Sequence, residues 1–327
     1  MVNLRVGLIG LGHMGHHHAK ILSNLPGVDL VGVYDKFNSR QLSSPPFPLV
    51  NSLDDLLDLT IDYAVIATPT QQHYEAGLIL AQSGIHAFIE KPVCHNLDCA
   101  NQLASLYEKK GLIGGVGYIE RYNPAIIEAK KRIDQLGKLY QIITRRQSPL
   151  PERVKDVGVI DDLLTHDIDL TSWLVDQEFA SVFAHINVST HSNYEDIATV
   201  LGTLCGGITS NHLVNRLNPF QERIVIIHGE NGVFIANTLT SELTFYPQES
   251  YLFQLDSKKN SSYLKHAHPI YFDYPKMNPL LLEHQNFRDA ILGKKANIIS
   301  LKRAAKTIAV TEAISKSVKN RMASSIF

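Results

Sequence analysis

The chain has 327 residues and only three cysteines, Cys94, Cys99 and Cys205. They are too few for a disulfide scaffold and lack the paired spacing of a zinc site, so they read as reduced thiols, which implies a cytoplasmic protein. Charge of one sign is also missing. Thirty-one Lys and Arg against 32 Asp and Glu leave a net charge of -1. No basic excess points to nucleic acid or an anionic membrane as partner, so any anion site must be built locally. No run approaches the roughly 18 apolar residues of a membrane span. The apolar stretch Val6–Leu11 is too short for a signal h-region with a cleavage site, and its glycines have another task. Internal repeats and low-complexity tracts are absent. What remains is the composition of a soluble globular protein, 44% hydrophobic and 19% charged, of a length suited to two domains.

The first third alternates strands and helices. Residues 4–15, LRVGLIGLGHMG, run from an apolar strand into Gly10, Gly12 and Gly15. That spacing suits a dinucleotide pyrophosphate: Gly10 permits a tight turn, Gly12 keeps a Cβ out of the phosphates' way, and Gly15 lets helix and strand pack closely. A helix over 13–25 then offers its N-terminal N–H groups to the anion. A second strand, VDLVGVYD, ends in Asp35, placed to accept from the adenosine ribose; its alternative is a surface acid opening a turn. His16, His17 and His18 are consecutive on a helix and point in different directions, which argues against a metal site, with His18 inward against the sheet. After a Pro-rich link (44–50), Ser52 with Asp54 and Asp55 opens a short helix. IDYAVIAT, residues 71–83, IHAFIE, residues 96–110 and LIGGVGY follow as strand, helix, strand, helix and strand. Unbroken apolar strands between helices mean a parallel sheet covered on both faces, a doubly wound Rossmann domain over 1–120.

Beyond Tyr118 the texture changes. A helix over 123–135 ends at Gly137, the strand KLYQIITRRQ follows, and after a polar loop (148–157) comes a helix over 162–174. Residues 179–256 then read as successive strands with turns at 206–207 and 230–232. That order predicts an α+β domain over 121–327 with a mostly antiparallel open sheet. Two closing helices, 279–292 and 301–319, are expected to pack back on the first domain.

Three constellations carry chemistry. In AVIATPTQQH (64–73) the strand ends at Thr68-Pro69, a carboxyl edge that faces the ligand crevice in this architecture, although ordinary capping accounts for it equally well. Glu90-Lys91-Pro92 ends the next strand; a lysine there is partly desolvated and able to hold a substrate oxygen, the alternative being a surface ion pair with Glu90. In the helix at 162–174, His166 has Asp162 and Asp169 one turn to either side, which suits a general base, a structural helix start or, lacking a third ligand, less readily a metal pair.

Together these elements resemble the Gfo/Idh/MocA family of glucose–fructose oxidoreductases, inositol dehydrogenases and their relatives: GLGHMG with His18, Asp35, ATPTQQH, Glu90-Lys91-Pro92, and Asp162 with His166. The resemblance spans essentially the whole chain. It implies that Lys91 and His166 flank the reacting carbon, that Asp162 lines the same pocket, and that the outer face of the second sheet makes a homodimer or homotetramer. The usual Gly-Gly-Gly lead-in is missing; Val157-Gly158-Val159-Ile160-Asp161 stands in its place. A narrower likeness, VGYIERYNPAI (116–126), is to members acting on UDP-N-acetylglucosamine or its uronic acid. It makes Tyr118, Arg121 and Asn123 candidate substrate contacts, with Arg121 for phosphate or carboxylate and Asn123 for a hydroxyl or amide, and Arg153, in the loop before the helix at 162–174, is a further candidate for the diphosphate. Arg121 capping its helix or pairing with Glu120 is the alternative.

The implied cofactor is NAD, held by Gly10, Leu11, Gly12, His13, Met14 and Gly15, by Asp35 and Lys36, and by Thr68, Pro69, His73, Glu90 and Lys91. Asp35 would repel a 2′-phosphate, though Lys36 and Arg40 leave NADP open. His166 is expected to take the proton of a sugar hydroxyl while Lys91 steadies the oxygen and Asp162 orients substrate or imidazole. The expected substrate is a UDP-N-acetylhexosamine oxidised at C3. The alternatives are another polyol or sugar, such as myo-inositol or a glucose derivative, and a non-catalytic NAD-binding sensor.

Overall fold

A computed structural model describes residues 3–36, 47–150, 157–190, 194–248 and 268–326. It divides into two compact units, Met1–Tyr122 with Met277–Glu312, and Asn123–Lys276 with Ala313–Phe327. Arg40 and Arg153 lie outside the described residues.

The first unit runs β1 (Leu4–Ile9), α1 (His13–Leu22), β2 (Val28–Tyr34), β3 (Leu49–Val50), α2 (Leu53–Asp58), β4 (Tyr63–Ile66), α3 (His73–Gln82), β5 (His86–Glu90), α4 (Leu97–Lys109) and β6 (Gly114–Gly117). The strands form one parallel sheet in the order β3-β2-β1-β4-β5-β6. Alternate residues feed cores on opposite faces. Tyr63 and Val65 join Val6, Leu8 and Phe88, while Ala64 and Ile66 join Ile89 and Leu103. Burial on both faces is why these strands read as continuous apolar runs rather than alternating ones. Helix starts follow their side chains: Ser52 accepts from Asp55 N–H at 3.0 Å and Asn96 from Cys99 N–H at 2.8 Å. Helix α1 stops at Leu22 rather than Leu25, because Pro26 drives the residue before it out of helical geometry. Later in the chain, α7 (Pro279–Ile291) and the first part of α8 (Leu301–Asn320) complete this unit.

In the second unit, α5 (Pro124–Arg132) leads through a 3₁₀ turn (Ile133–Leu136) and Gly137, at φ 66°, into β7 (Leu139–Gln147). A π-helical turn (Ile160–Leu164) continues into α6 (Thr165–Val175), and β8 (Phe179–Asn187), β9 (Ile197–Leu204), β10 (Thr209–Asn215), β11 (Glu222–Gly229), β12 (Gly232–Asn237), β13 (Glu242–Pro247), β14 (Ile270–Tyr271) and β15 (Ser324–Ser325) follow. They form a nine-stranded sheet in which β7–β10 is the parallel pair and the other neighbours are antiparallel. Along β9 buried and exposed residues alternate. One face packs on α5 and α6 through Ala125, Ala129, Leu170, Leu174 and Ile227. The other face exposes Phe183 and its β9 partner Leu201.

Candidate active site

The first unit's strand order reverses beside β1, between β2 and β4, and in open parallel sheets ligands bind outside the carboxyl ends at such a point. There a cavity of about 530 Å³ is lined by Gly10, Gly12, Asp35, Thr68, Pro69 and Glu75, among others. The glycines differ in what a Cβ would meet. At Gly10, with φ +98°, it would lie 2.7 Å from the Ala67 carbonyl; at Gly15 it would lie 2.1 Å from Gly10 O; at Gly12 it would meet nothing within 4 Å. Gly10 and Gly15 thus permit the turn, while Gly12 leaves a cradle into the cavity that a side chain would fill. Helix α1 has no side-chain cap at Gly12 and no acid in its first turn, as suits an anion at its N-terminus. Asp35 is 8% exposed and accepts from Leu11 N–H at 2.6 Å, so it closes the Gly-rich turn. Leu11 itself is buried in the core, Met14 is half-buried, and His13 and Lys36 are exposed. These features fit a dinucleotide.

His73 has a different place from the one expected. Its ring is 1% exposed, with Nδ1 2.8 Å from Pro92 O and Nε2 2.8 Å from Thr68 O. The 3₁₀ turn at Thr70–Gln72 brings it beneath the sheet edge, where it ties the turn after β4 to the turn after β5 instead of facing the cavity. Burial pushes this ring below the usual histidine range, opposed by the two carbonyls and Glu90. Lys91 is half-buried at the carboxyl end of β5. Glu90 accepts from His18 Nε2 at 2.8 Å and from Lys91 N–H at 3.1 Å. Tyr118 and Arg121 are 1% and 6% exposed.

In the second unit Asn123 caps α5: its Oδ1 accepts from Ala125 N–H at 3.0 Å and its Nδ2 donates to Thr238 O at 2.8 Å. The amide expected to read substrate is therefore committed to backbone. On the helix that follows β7, Asp162 and His166 stay half-accessible, whereas Leu163, Leu164, Thr165, Asp167, Ile168 and Asp169 are buried. A π turn at a helix start is a frequent functional device, and here it carries Asp162 into α6 ahead of His166.

Sequence reasoning missed the residues that hold this helix, because their partners are distant in the chain. Arg146 on β7 donates to buried Asp167 Oδ1 from Nε at 2.9 Å and Nη2 at 2.8 Å. Glu195 accepts from Ile160 N–H at 2.9 Å, and a Cβ on Gly158 would lie 1.9 Å from the same carboxylate oxygen. Next to it, buried Asp196 accepts from Arg216 Nε at 2.7 Å, and Arg216 Nη1 donates to Val157 O at 2.8 Å. Burial alone would raise the Asp196 carboxyl, but N–H groups of Thr190 and Ser189, with Arg216, hold it down at about 2. The departure from a Gly-Gly-Gly lead-in therefore leaves Gly158 in contact with Glu195. Among the described residues no three His, Cys, Asp or Glu are grouped to hold a metal, and no helix is long and apolar enough to cross a membrane.

The chain resembles known proteins along almost its whole length. A family model described as "Oxidoreductase family, NAD-binding Rossmann fold" matches residues 4–162, and its companion, "Oxidoreductase family, C-terminal alpha/beta domain", matches residues 130–326. A UDP-N-acetylglucosamine 3-dehydrogenase of Acidithiobacillus ferrooxidans is 31% identical over 252 residues, 75% of this chain and 78% of that protein. Its solved structure superposes with a TM-score of 0.85 at 25% identity, covering 98% of this chain and 99% of that one. The scyllo-inositol 2-dehydrogenase (NAD(+)) of Bacillus subtilis is 26% identical over 344 residues, 98% of this chain and 95% of that protein.

Proposed function

The chain belongs to the Gfo/Idh/MocA oxidoreductases, and from that membership we propose that it oxidises a secondary hydroxyl of a nucleotide sugar, C3 of a UDP-N-acetylhexosamine. Its NAD-binding domain has the cradle at Gly12 and the acid at Asp35 that such a cofactor needs. NAD, when bound, supplies the hydride acceptor. In this reading His166 accepts the hydroxyl proton at its imidazole. Lys91 donates a hydrogen bond to the same oxygen and stabilises the negative charge that develops as the proton leaves. Asp162, one turn before His166, orients substrate or ring. The observation that carries the reading is the sealing of Asp167 and Asp169 while Asp162 and His166 keep an accessible stripe on the same helix. Tyr118, Arg121 and Arg153 remain the candidates for the nucleotide, with Arg121 and Tyr118 acting from buried positions.

A second reading, an inositol or other polyol as substrate, is favoured by the Bacillus subtilis relative, which matches almost the whole chain. Initial rates of NADH formation separate the two. With UDP-N-acetylglucosamine as substrate, kcat/KM should exceed that with myo-inositol by about ten-thousandfold or more, as expected when a site's polar groups are left unpaired by the wrong ligand. Turnover of myo-inositol alone would overturn the nucleotide-sugar reading. Lys91→Ala and His166→Ala should each lower kcat by about a hundredfold or more while NAD affinity holds. The exposed Phe183 and Leu201 on the second sheet support self-association through that face, which light scattering in solution tests.

A further inference from the structure

Behind the Glu90-Lys91 turn, three buried titratable side chains stand in a line. His18 on α1 is fully enclosed, with Nε2 2.8 Å from Glu90 Oε1 and Nδ1 2.7 Å from Nε2 of His284 on α7. Glu90 Oε2 accepts from the backbone N–H of Lys91. At the far end, Nδ1 of His284 is buried and has no hydrogen-bond partner among the described residues.

These contacts assign the protons. A carboxylate only accepts, so His18 Nε2 carries a hydrogen. One further proton lies between His18 Nδ1 and His284 Nε2. If His18 were the donor, His284 would hold its own hydrogen on Nδ1, a buried N–H with no acceptor. If His284 is the donor, its bare Nδ1 only lacks a donor. Orphaned buried N–H groups are the rarer of the two. Burial also pushes His284 well below the ordinary histidine range, which keeps it neutral. The chain therefore points from His284 through His18 to Glu90. Burial by itself would raise the Glu90 carboxyl, but His18, Lys91 and the Lys91 N–H together bring it below its ordinary value.

Packing does not need polar groups here. The rings of His18 and His284 lie 5.7 Å and 5.1 Å from the Phe88 ring, beside Phe287, and apolar side chains would fill that space. The line ends one residue before Lys91, and Gly117 leaves room for the carboxylate, since a Cβ there would lie 3.0 Å from Glu90 Oε1. Among the described residues, Lys91 and His73 are titratable groups that interact electrostatically with Glu90, and Glu283, the neighbour of His284 in α7, is also buried.

We propose that His18 and His284 are positioning residues of the hydride-transfer site: their chain holds the Glu90 carboxylate ionised and in one orientation, and Glu90 in turn holds the ammonium of Lys91 towards the cofactor. The proposal rests on the reading of Lys91 as the cation that steadies the substrate oxygen. In His18→Gln the side-chain amide can still donate to Glu90, whereas His18→Leu cannot; Glu90→Gln keeps the shape and removes the charge.

Two measurements test it on the full chain with NAD. In nitrogen-15 spectra of histidine-labelled protein, His284 should show a bare Nδ1 and a protonated Nε2 across neutral pH, a readout independent of substrate. Rates with UDP-N-acetylglucosamine across pH should show kcat lowered about tenfold or more in His18→Leu and Glu90→Gln. In both, KM for NAD should stay within about threefold and the alkaline limb of the profile should be displaced, while His18→Gln recovers most of the loss. Should His18→Leu fail to fold, Glu90→Gln and the spectra still decide. A proton on His284 Nδ1 overturns the assignment. Wild-type kcat and pH profile in both His18→Leu and Glu90→Gln, with Lys91→Ala inactive, overturn the positioning role alone. Full turnover in Lys91→Ala removes the reading of Lys91 beneath it.

Discussion

Gly12 and Gly15 are three residues apart in one turn, yet adding a single methyl should harm each in a different way. At Gly12 the backbone is extended, φ -70° and ψ -165°, a conformation alanine adopts freely, and the added Cβ meets nothing within 4 Å. Gly12→Ala should therefore leave the melting temperature unchanged. Its methyl enters the cradle meant for the pyrophosphate, so NAD affinity should fall by about tenfold or more, equivalent to about 1.4 kcal/mol. At Gly15 the Cβ would lie 2.1 Å from Gly10 O, a clash with backbone that no rotamer relieves. Overpacking of this kind costs about 1–3 kcal/mol, and each kcal/mol lowers Tm by roughly 2–4 °C in a unit of this size. Gly15→Ala should thus melt several degrees lower as well as bind NAD more weakly. Differential scanning fluorimetry with and without NAD, alongside titration calorimetry, measures both quantities. If Gly12→Ala binds NAD as tightly as the unchanged protein, or loses as much Tm as Gly15→Ala, the assignment of the cradle is wrong.

Gly158→Ala should displace the Glu195 carboxylate from Ile160 N–H and disturb the start of the helix bearing Asp162 and His166. Turnover of UDP-N-acetylglucosamine should fall while NAD affinity stays within about twofold, so a variant with unimpaired kcat would show that this contact does not set the helix. Asp196 should govern acid stability. Its carboxyl sits at about 2 in the fold against 3.8 for an ordinary aspartate, so its contribution, about 2 kcal/mol, is complete above pH 4 and is lost as pH falls through 2. Asp196→Asn should flatten that limb in urea titrations, and an unaltered limb would refute the pairing with Arg216. Arg146→Met should leave the Asp167 carboxylate buried without its cation, at a cost of about 3–5 kcal/mol. Adding Asp167→Leu to that variant should return part of the stability. Additive losses in the double-mutant cycle would count against the ion pair.

Much of the fold was legible in the sequence because its causes are local. The parallel sheet follows from apolar strands divided by helices, and the antiparallel one from strand after strand with turns at 206–207 and 230–232. Gly10, Gly12 and Gly15 announce a tight turn by spacing alone, and Ser52 and Asn96 mark helix starts because each accepts from an N–H three residues on. Elsewhere the sequence suggested a group but not its partner. The two nitrogens of His73 face the carbonyls of Thr68 and Pro92, and the Asn123 amide caps its own helix. Hydrogen bonds of this kind depend on where turns end to within a residue, which periodicity does not resolve.

What the chain by itself determined was the order of its elements and the residue types available at their ends, since spacing, capping and hydrophobic period act within a few residues. What only the tertiary structure decided was which of those residues are sealed and which are paired. His284 meets His18 across 266 positions of sequence, Arg146 reaches Asp167, and Arg216 closes on Asp196 and Val157. Such contacts arise when separate elements pack and exclude water, and it is that exclusion which gives a buried carboxylate or imidazole its charge state.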